Sequence, residues 1–144
     1  MDRERIERLL DEAERSLKVM RMIAALSPDE FLSDVRNRYA LRMAVVEVVE
    51  SIIAASVGIL RESRGYTAHH GYVEVAKRLA EEGVLTSQEA SDLERLTRLR
   101  NIIVHRYWEV DDRRIFEEAR RNGIEAISRI LSRLRGHVLG GRGE

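Results

Sequence analysis

Cysteine is absent from this sequence of 144 residues, and proline occurs only once, at Pro28. The absence of cysteine excludes disulfides, thiolate metal sites and a cysteine nucleophile. With one proline and no useful stretch of alternating strand-like residues, little in the chain would interrupt a helix. We therefore expect an all-α protein in which helices run nearly end to end.

An excess of charge of either sign is also missing. The 25 basic and 25 acidic residues cancel to a formal net charge of zero. The chain therefore has no general electrostatic attraction for nucleic acid. Any contact with RNA or phosphate must come from a local cluster of residues.

Neither a signal peptide nor a membrane span is expected. The first residues, MDRERIERLL, are charged from the second position on, unlike a secretory leader. The longest apolar stretch, LRMAVVEVVESIIAASVGIL, contains Arg42, Glu47 and Glu50, and such charges are costly in a bilayer. We expect a cytoplasmic protein that makes no contact with a membrane, in which this stretch is a helix buried on more than one side.

Hydrophobic periodicity and capping signals divide the chain into four to five helices. The length suits one domain with one core. We predict an up-and-down helical bundle over residues 1–135 and a flexible tail over residues 136–144. The predicted helices span about residues 2–26, residues 28–64 with a bend near Asn37, residues 72–82, residues 86–105 and residues 111–134.

The second predicted helix carries two apolar stripes, whereas a helix on the surface of a domain usually carries one. Five residues form one stripe and four form the other: Leu41, Val45, Val48, Ile52 and Ile59, and Val46, Val49, Ile53 and Val57. We infer that one stripe faces the core and the other faces a second copy of the chain. The sequence therefore predicts a homodimer.

One short segment, RLRNIIVHRYW, places four polar side chains within eight positions: Arg100, Asn101, His105 and Tyr107. The packing of a buried helix does not require them. On an ideal helix Arg100 and Tyr107 share nearly one face, whereas Arg100 and His105 point about 140° apart. To reach one small target together, Arg100 and His105 need either an unwound helix near His105 or a second element, such as a symmetric copy of the chain.

These residues fit RNA cleavage without a metal, in which a 2′-hydroxyl attacks its own phosphodiester. Arg100 would stabilise charge on the phosphate oxygens, and His105 would transfer a proton near neutral pH. One histidine cannot be base and acid at the same instant, so two motifs at a dimer cleft would help. The structural alternative is that His105 caps a helix end and Arg100 forms a surface ion pair.

The segment RNIIVHRYW resembles the R-x4-H-x-Y motif of HEPN proteins, specifically the HepT-like toxins encoded beside minimal nucleotidyltransferase antitoxins. The resemblance covers about residues 1–135 and includes YALRMAVVEVVESIIAASVGIL and DDRRIFEEARRNGIEAISRIL. It implies an all-α homodimer whose two motifs face one cleft. It also implies a ribonuclease-type toxin of a type VII-like pair, without cofactor, with Arg100 and His105 as the catalytic residues acting on RNA.

The same resemblance implies roles for two further motif residues. Asn101 matches the polar residue that often follows the motif arginine, which implies a supporting role. Tyr107 matches the tyrosine to which the partner nucleotidyltransferase attaches AMP, and the added anion would occupy the place of an RNA phosphate. A second function stays open, that of a non-catalytic module holding a nucleotide or substrate for a separate nucleotidyltransferase.

Several residues outside the motif also attract attention. His69 and His70 are adjacent but have no cysteine or carboxylate cluster nearby, so we expect no metal site. Trp108 is expected to anchor into the core or the dimer interface. Tyr66 and Tyr72 flank a glycine-bounded loop and are expected to pack rather than to stack on bases.

Charged residues near the motif have two interpretations each. Arg95, Arg98 and Arg106 either line a path for RNA or form an ordinary solvated face. Glu47 and Glu50 either form a solvated or ion-paired stripe or, in a dimer along this helix, pair with arginines near the cleft.

Overall fold

Helices make up all the regular structure of the described residues, which are residues 2–62 and 71–140 of a computed structural model. A 3₁₀ turn at Tyr107–Glu109 precedes α6, and a π-helical turn at Ala119–Gly123 joins α6 to α7. The all-α prediction is confirmed. The helices are α1 Arg3–Ala24, α2 Pro28–Ser33, α3 Val35–Leu60, α4 Tyr72–Glu81, α5 Ser87–His105, α6 Asp112–Glu118 and α7 Ile124–Gly140.

Two helix starts follow the capping signals in the sequence. Ser27 accepts a hydrogen bond from the backbone N–H of Glu30, and the Glu30 carboxylate accepts one from the backbone N–H of Ser27. Thr86 and Glu89 form the same reciprocal pair at the start of α5. Each pair satisfies two N–H groups that a helix start otherwise leaves without partners.

The second predicted helix, over residues 28–64 with a bend near Asn37, is divided at Asp34 into the two helices α2 and α3. Asp34 adopts an extended backbone conformation, ends α2 and caps α3 with its side chain. The break directs α2 toward α6, where Phe31 stacks on Phe116 with ring centroids 4.4 Å apart. Both rings are fully buried, so their contact offsets the helical hydrogen bonds that the break removes.

Four long helices form the bundle, in which α1 packs on α3, α3 on α5, α5 on α7 and α7 back on α1. This ring of sequential neighbours is the predicted up-and-down arrangement. Among the described residues, α3 is the one helix whose length and composition would suit a membrane span. More than half of its most apolar window is buried inside the bundle, which explains its composition.

The sequence predicted that one apolar stripe of α3 faces the core and the other faces a second copy of the chain. The structure does not divide the stripes in this way. The first stripe is buried, and in the second Val49 and Ile53 are buried as well. Val46 and Val57 also pack against the same core. Helices on both sides of α3 cover the two stripes, so these stripes are not the reason for a dimer.

The last helix continues five residues beyond the predicted domain end at residue 135. Val138 is buried, and its carbonyl accepts a hydrogen bond from Nη2 of Arg3 at 2.7 Å. Packing against the start of α1 thus extends helical structure into residues 136–140, where the sequence predicted a tail. Residues 141–144 lie outside the described part of the chain.

Candidate functional site

The segment with the four polar residues lies at the C-terminal end of α5. The helix ends at His105 because Arg106 leaves helical geometry, with φ −139° and ψ 46°. The backbone N–H of Arg106 still bonds to the carbonyl of Ile102 and closes the last turn. Tyr107 belongs to the following 3₁₀ turn, so the helical face that it would share with Arg100 on a continuous helix does not exist.

Arg100 lies at a junction of three helices. Its Nε atom is 2.6 Å from Oε1 of Glu50 on α3, and its guanidinium lies over the ring of Tyr72, the first residue of α4, at 4.9 Å. Its Nη1 atom donates a hydrogen bond to Oδ1 of the neighbouring Asn101 at 2.9 Å. The Arg100 side chain is 19% exposed. Arg100 thus forms an ion pair, as the structural alternative predicted, with its own side chain largely covered and that of Glu50 41% exposed.

The carboxylate of Glu50 connects Arg100 to Tyr72. The Tyr72 hydroxyl donates a hydrogen bond to Oε2 of Glu50 at 2.8 Å. The close contact between Arg100 Nε and Glu50 Oε1 lacks hydrogen-bond geometry, and neither atom has a hydrogen-bond partner among the described residues. Charge attraction therefore holds this contact, while the directed hydrogen bond to Glu50 comes from Tyr72.

The surroundings of Tyr72 displace the pKa of its phenol. Burial raises the pKa of its phenol, and the hydrogen bond to the negative Glu50 raises it further. The positive charge of Arg100 opposes this effect and lowers the pKa by a smaller amount. The phenol thus stays protonated and keeps donating to Glu50.

The remaining motif residues are open to solvent. Asn101 and His105 are exposed, and Tyr107 and Trp108 are 61% and 69% exposed. The rings of Tyr107 and Trp108 meet edge to face with centroids 5.2 Å apart. The prediction that Trp108 anchors into the core of its own chain is therefore wrong. An anchor at a dimer interface stays a prediction.

The structure joins Arg100 to Asn101 but leaves Arg100 and His105 diverging. Because α5 stays helical through His105, the two side chains keep the separation of about 140° that five helical residues impose. Within one chain, the side chains of Arg100 and His105 therefore point in different directions. A single compact site with both groups needs a further element.

Glu50 and Tyr72 are the residues that sequence reasoning did not place. Pairing of Glu50 with an arginine near the motif was one of two interpretations, but it assumed a second chain, whereas the contact lies within one chain. Tyr72 does pack, as expected, and its packing partner is the Arg100 guanidinium. No sequence signal identifies these contacts, because α3, α4 and α5 meet only through tertiary packing.

Arg95 and Arg98 pair with carboxylates of their own helix rather than with the motif residues. Arg95 forms an ion pair with the buried Asp92, and Arg98 lies 3.5 Å from Glu94. Arg95 also lines a cavity of about 320 Å³ between α5, α6 and the π-helical turn, which no motif residue lines.

Within residues 2–62 and 71–140, no three His, Asp or Glu side chains lie close enough together to hold one metal ion. His69, His70 and Tyr66 lie outside the described residues.

Comparison with known proteins identifies the family of the chain. The family model described as ribonuclease HepT-like matches residues 6–134. None of the curated protein sequences matches the chain.

Solved structures share the fold at low sequence identity. The cytosolic protein of unknown function YutE from Bacillus subtilis is 19% identical, with a TM-score of 0.83 over 100% of this chain and 95% of that one. A tri-AMPylated Shewanella oneidensis HEPN toxin in complex with an MNT antitoxin is 17% identical, with a TM-score of 0.83 over 94% of this chain and 99% of that one. A toxin–antitoxin structure with AMP-PNP is 16% identical, with a TM-score of 0.82 over 92% and 98%.

Proposed function

Because the chain belongs to the HepT-like ribonuclease family, we propose that it is a metal-independent endoribonuclease and the toxin of a toxin–antitoxin pair. The observation that carries this proposal is the end of α5, where an enclosed Arg100 and an exposed His105 flank the last turn. An enclosed guanidinium suits a phosphate, since its charge is weakly screened. An exposed imidazole can accept a proton from a bound substrate or donate one to it.

In the proposed reaction, the 2′-hydroxyl of one nucleotide attacks the adjacent phosphorus. The P–O2′ bond forms, the P–O5′ bond breaks, and the product is a cyclic phosphate with a free 5′-hydroxyl. A base accepts the proton of the 2′-hydroxyl, and an acid returns a proton to the leaving 5′-oxygen. His105 supplies one of these roles, and Arg100 stabilises the charge that accumulates on the phosphate oxygens. Asn101, bonded to Arg100, has a supporting role.

A homodimer completes this mechanism, because the second proton-transfer group is the His105 of a second chain. Support comes from the first half of α3, where Val35, Tyr39 and Met43 recur every four residues and are exposed. Trp108 is exposed as well, and exposed apolar side chains of this kind are what subunit interfaces cover. Sedimentation at micromolar concentration should give twice the mass of the chain, and a monomer would contradict the paired mechanism.

Control of the activity is the third part of the proposal. We infer that a minimal nucleotidyltransferase antitoxin attaches AMP to Tyr107 and thereby silences the toxin. Two observations support it: the Tyr107 side chain is exposed, and a solved structure with this fold is an AMPylated HEPN toxin bound to an MNT antitoxin. The added phosphate would bring negative charge to the motif and oppose the approach of RNA.

The test is cleavage of RNA by the purified chain, with and without EDTA. We expect cleavage that persists in EDTA and falls by about 10²-fold or more in Arg100→Ala and in His105→Ala. Arg113→Ala is the matched control, because it removes an exposed arginine of α6 that pairs only with Glu117 among the described residues. Full activity of either motif variant would contradict the assigned roles. Cleavage by no form of the chain would favour the non-catalytic binding module.

A further inference from the structure

We propose that Glu50 and Tyr72 are positioning residues that fix the orientation of the Arg100 guanidinium for phosphate. The inference rests on the proposed function, because it gives Arg100 a phosphate to bind. It adds two residues that lie outside the R-x4-H-x-Y motif, on α3 and α4.

Three contacts restrain the one guanidinium. Glu50 attracts its Nε edge at 2.6 Å, the Tyr72 ring covers one face at 4.9 Å, and Asn101 accepts from Nη1 at 2.9 Å. An unrestrained arginine has several rotatable bonds and loses substantial entropy on binding a ligand. A guanidinium that is already oriented avoids this cost and places its N–H fork in one direction.

The geometry of the Glu50 contact favours positioning over neutralisation. The Nε–Oε1 approach is close but not aligned for a hydrogen bond. Within the described residues, the hydrogen bond that Arg100 donates goes to the neutral Asn101. The Nε–H is buried against the carboxylate, whereas no described hydrogen bond joins the Nη groups to Glu50. The Nη groups are therefore the donors left for a phosphate.

Tyr72 holds Glu50 in turn. Its hydroxyl donates to Oε2, so the two carboxylate oxygens are divided between the phenol and the guanidinium. The Glu50 side chain is 41% exposed, and a partly exposed glutamate without this bond would sample several rotamers. The phenol thus serves Arg100 twice, with its ring directly and with its hydroxyl through Glu50.

The experiment measures kcat and KM for cleavage of an RNA oligonucleotide by the full chain. We expect Glu50→Gln to lower kcat by about 10-fold with little change in KM, since the arginine stabilises charge that develops in the transition state. Tyr72→Phe keeps the ring and removes the hydroxyl, so we expect a smaller loss in kcat, of about threefold. Glu47→Gln is the matched control on α3, because Glu47 contacts Ser16 rather than Arg100, and it should behave as wild type.

A second background tests whether Glu50 acts through Arg100. In Arg100→Lys, which keeps the charge but loses the planar fork, Glu50→Gln should change the residual kcat by less than about twofold. An equal loss in both backgrounds, or a Glu50→Gln variant equal to Glu47→Gln, would overturn the inference. A lower KM with unchanged kcat in Glu50→Gln would also overturn it, because Glu50 would then act by repelling RNA.

These outcomes are separable from failure of the proposed function. If Arg100→Ala cleaves like wild type, the assignment of Arg100 fails. If Arg100→Ala is inactive and both Glu50→Gln and Tyr72→Phe keep wild-type kcat, only the positioning inference fails. Melting curves of each variant identify losses that come from unfolding, and Tyr72→Phe is available if Glu50→Gln does not fold.

Discussion

Arg42 and Arg100 have side chains that are equally enclosed, at 19% exposed, and each reaches a carboxylate on another helix. Arg42 on α3 donates two hydrogen bonds of 2.7 Å to Asp112, which is 14% exposed. Arg100 makes one unaligned contact with Glu50, which is 41% exposed. The first pair uses the guanidinium fork fully, and the second does not.

If the proposed function holds, this difference separates a structural arginine from one that binds a ligand. In the Arg42 pair, the hydrogen bond with Asp112 raises the pKa of the guanidinium despite the burial that opposes it, which is typical of a satisfied bidentate pair. The Arg100 guanidinium is also covered, but its restraint comes from an aromatic face and an amide as well as a carboxylate. Burial alone therefore does not distinguish the two arginines. They differ in whether their N–H groups are aligned with the neighbouring carboxylate.

The largest effect that tests this comparison is on stability. We expect Arg42→Ala to lower the free energy of unfolding by about 1–3 kcal/mol, because it leaves the enclosed Asp112 without its partner. Arg100→Ala should cost less stability, since Glu50 is closer to solvent and keeps its bond from Tyr72. Urea unfolding of both variants measures the difference.

The loss of cleavage activity should be larger in Arg100→Ala than in Arg42→Ala, the opposite of the order expected for stability. At a temperature where both variants are folded, Arg42→Ala should cleave RNA within about twofold of wild type, while Arg100→Ala loses activity. If Arg42→Ala lost as much cleavage as Arg100→Ala at equal folded fraction, the two arginines would not divide between structure and chemistry.

A smaller effect concerns Glu89, the carboxylate at the opposite end of α5 from the motif. Burial would raise the pKa of Glu89, but hydrogen bonds from the backbone of Thr86 and from Arg133 outweigh it and lower the pKa below its usual value. A lowered folded-state pKa gives stability that is present above the unfolded pKa and is lost as pH falls through the folded pKa. The pair with Arg133 thus stabilises the fold at neutral pH and not in acid.

The variant Glu89→Gln tests this direction of the change of stability with pH. It keeps an oxygen for the capping box but loses the charge, so we expect a loss of about 1 kcal/mol at pH 7 that shrinks as pH falls below about 4. Urea unfolding at both pH values gives the two differences. A loss that is the same at pH 7 and in acid would show that the carboxylate charge contributes nothing at the start of α5.

The same contrast shows which features of the fold and of the site can be predicted from the sequence. Periodicity and capping boxes predicted the helical class and most helix starts, because those depend on residues within a few positions of one another. The break at Asp34 was missed because the Phe31–Phe116 contact that accompanies it is a tertiary one. Spacing and the family resemblance predicted the motif residues. Glu50 and Tyr72 were not placed, because three helices must pack before they meet Arg100.

The exposure of Trp108 was missed for a different reason. A large apolar side chain is usually covered, and the sequence does not show whether its own chain or another one covers it.

The smallest effect on cleavage is expected at Tyr107, which contrasts with Tyr72. Tyr72 is hydrogen-bonded to Glu50 and lies under Arg100, whereas Tyr107 is exposed and its ring meets that of Trp108 edge to face. Tyr107→Phe should cleave RNA like wild type, because the phenol has no role in proton transfer, yet it should escape silencing by the nucleotidyltransferase partner with ATP. Mass spectrometry of the co-expressed pair should find AMP on Tyr107 of wild type and none on the Tyr107→Phe variant, which has no hydroxyl there to accept it. A silenced complex in which Tyr107 is unmodified would mean that the partner inhibits by binding alone.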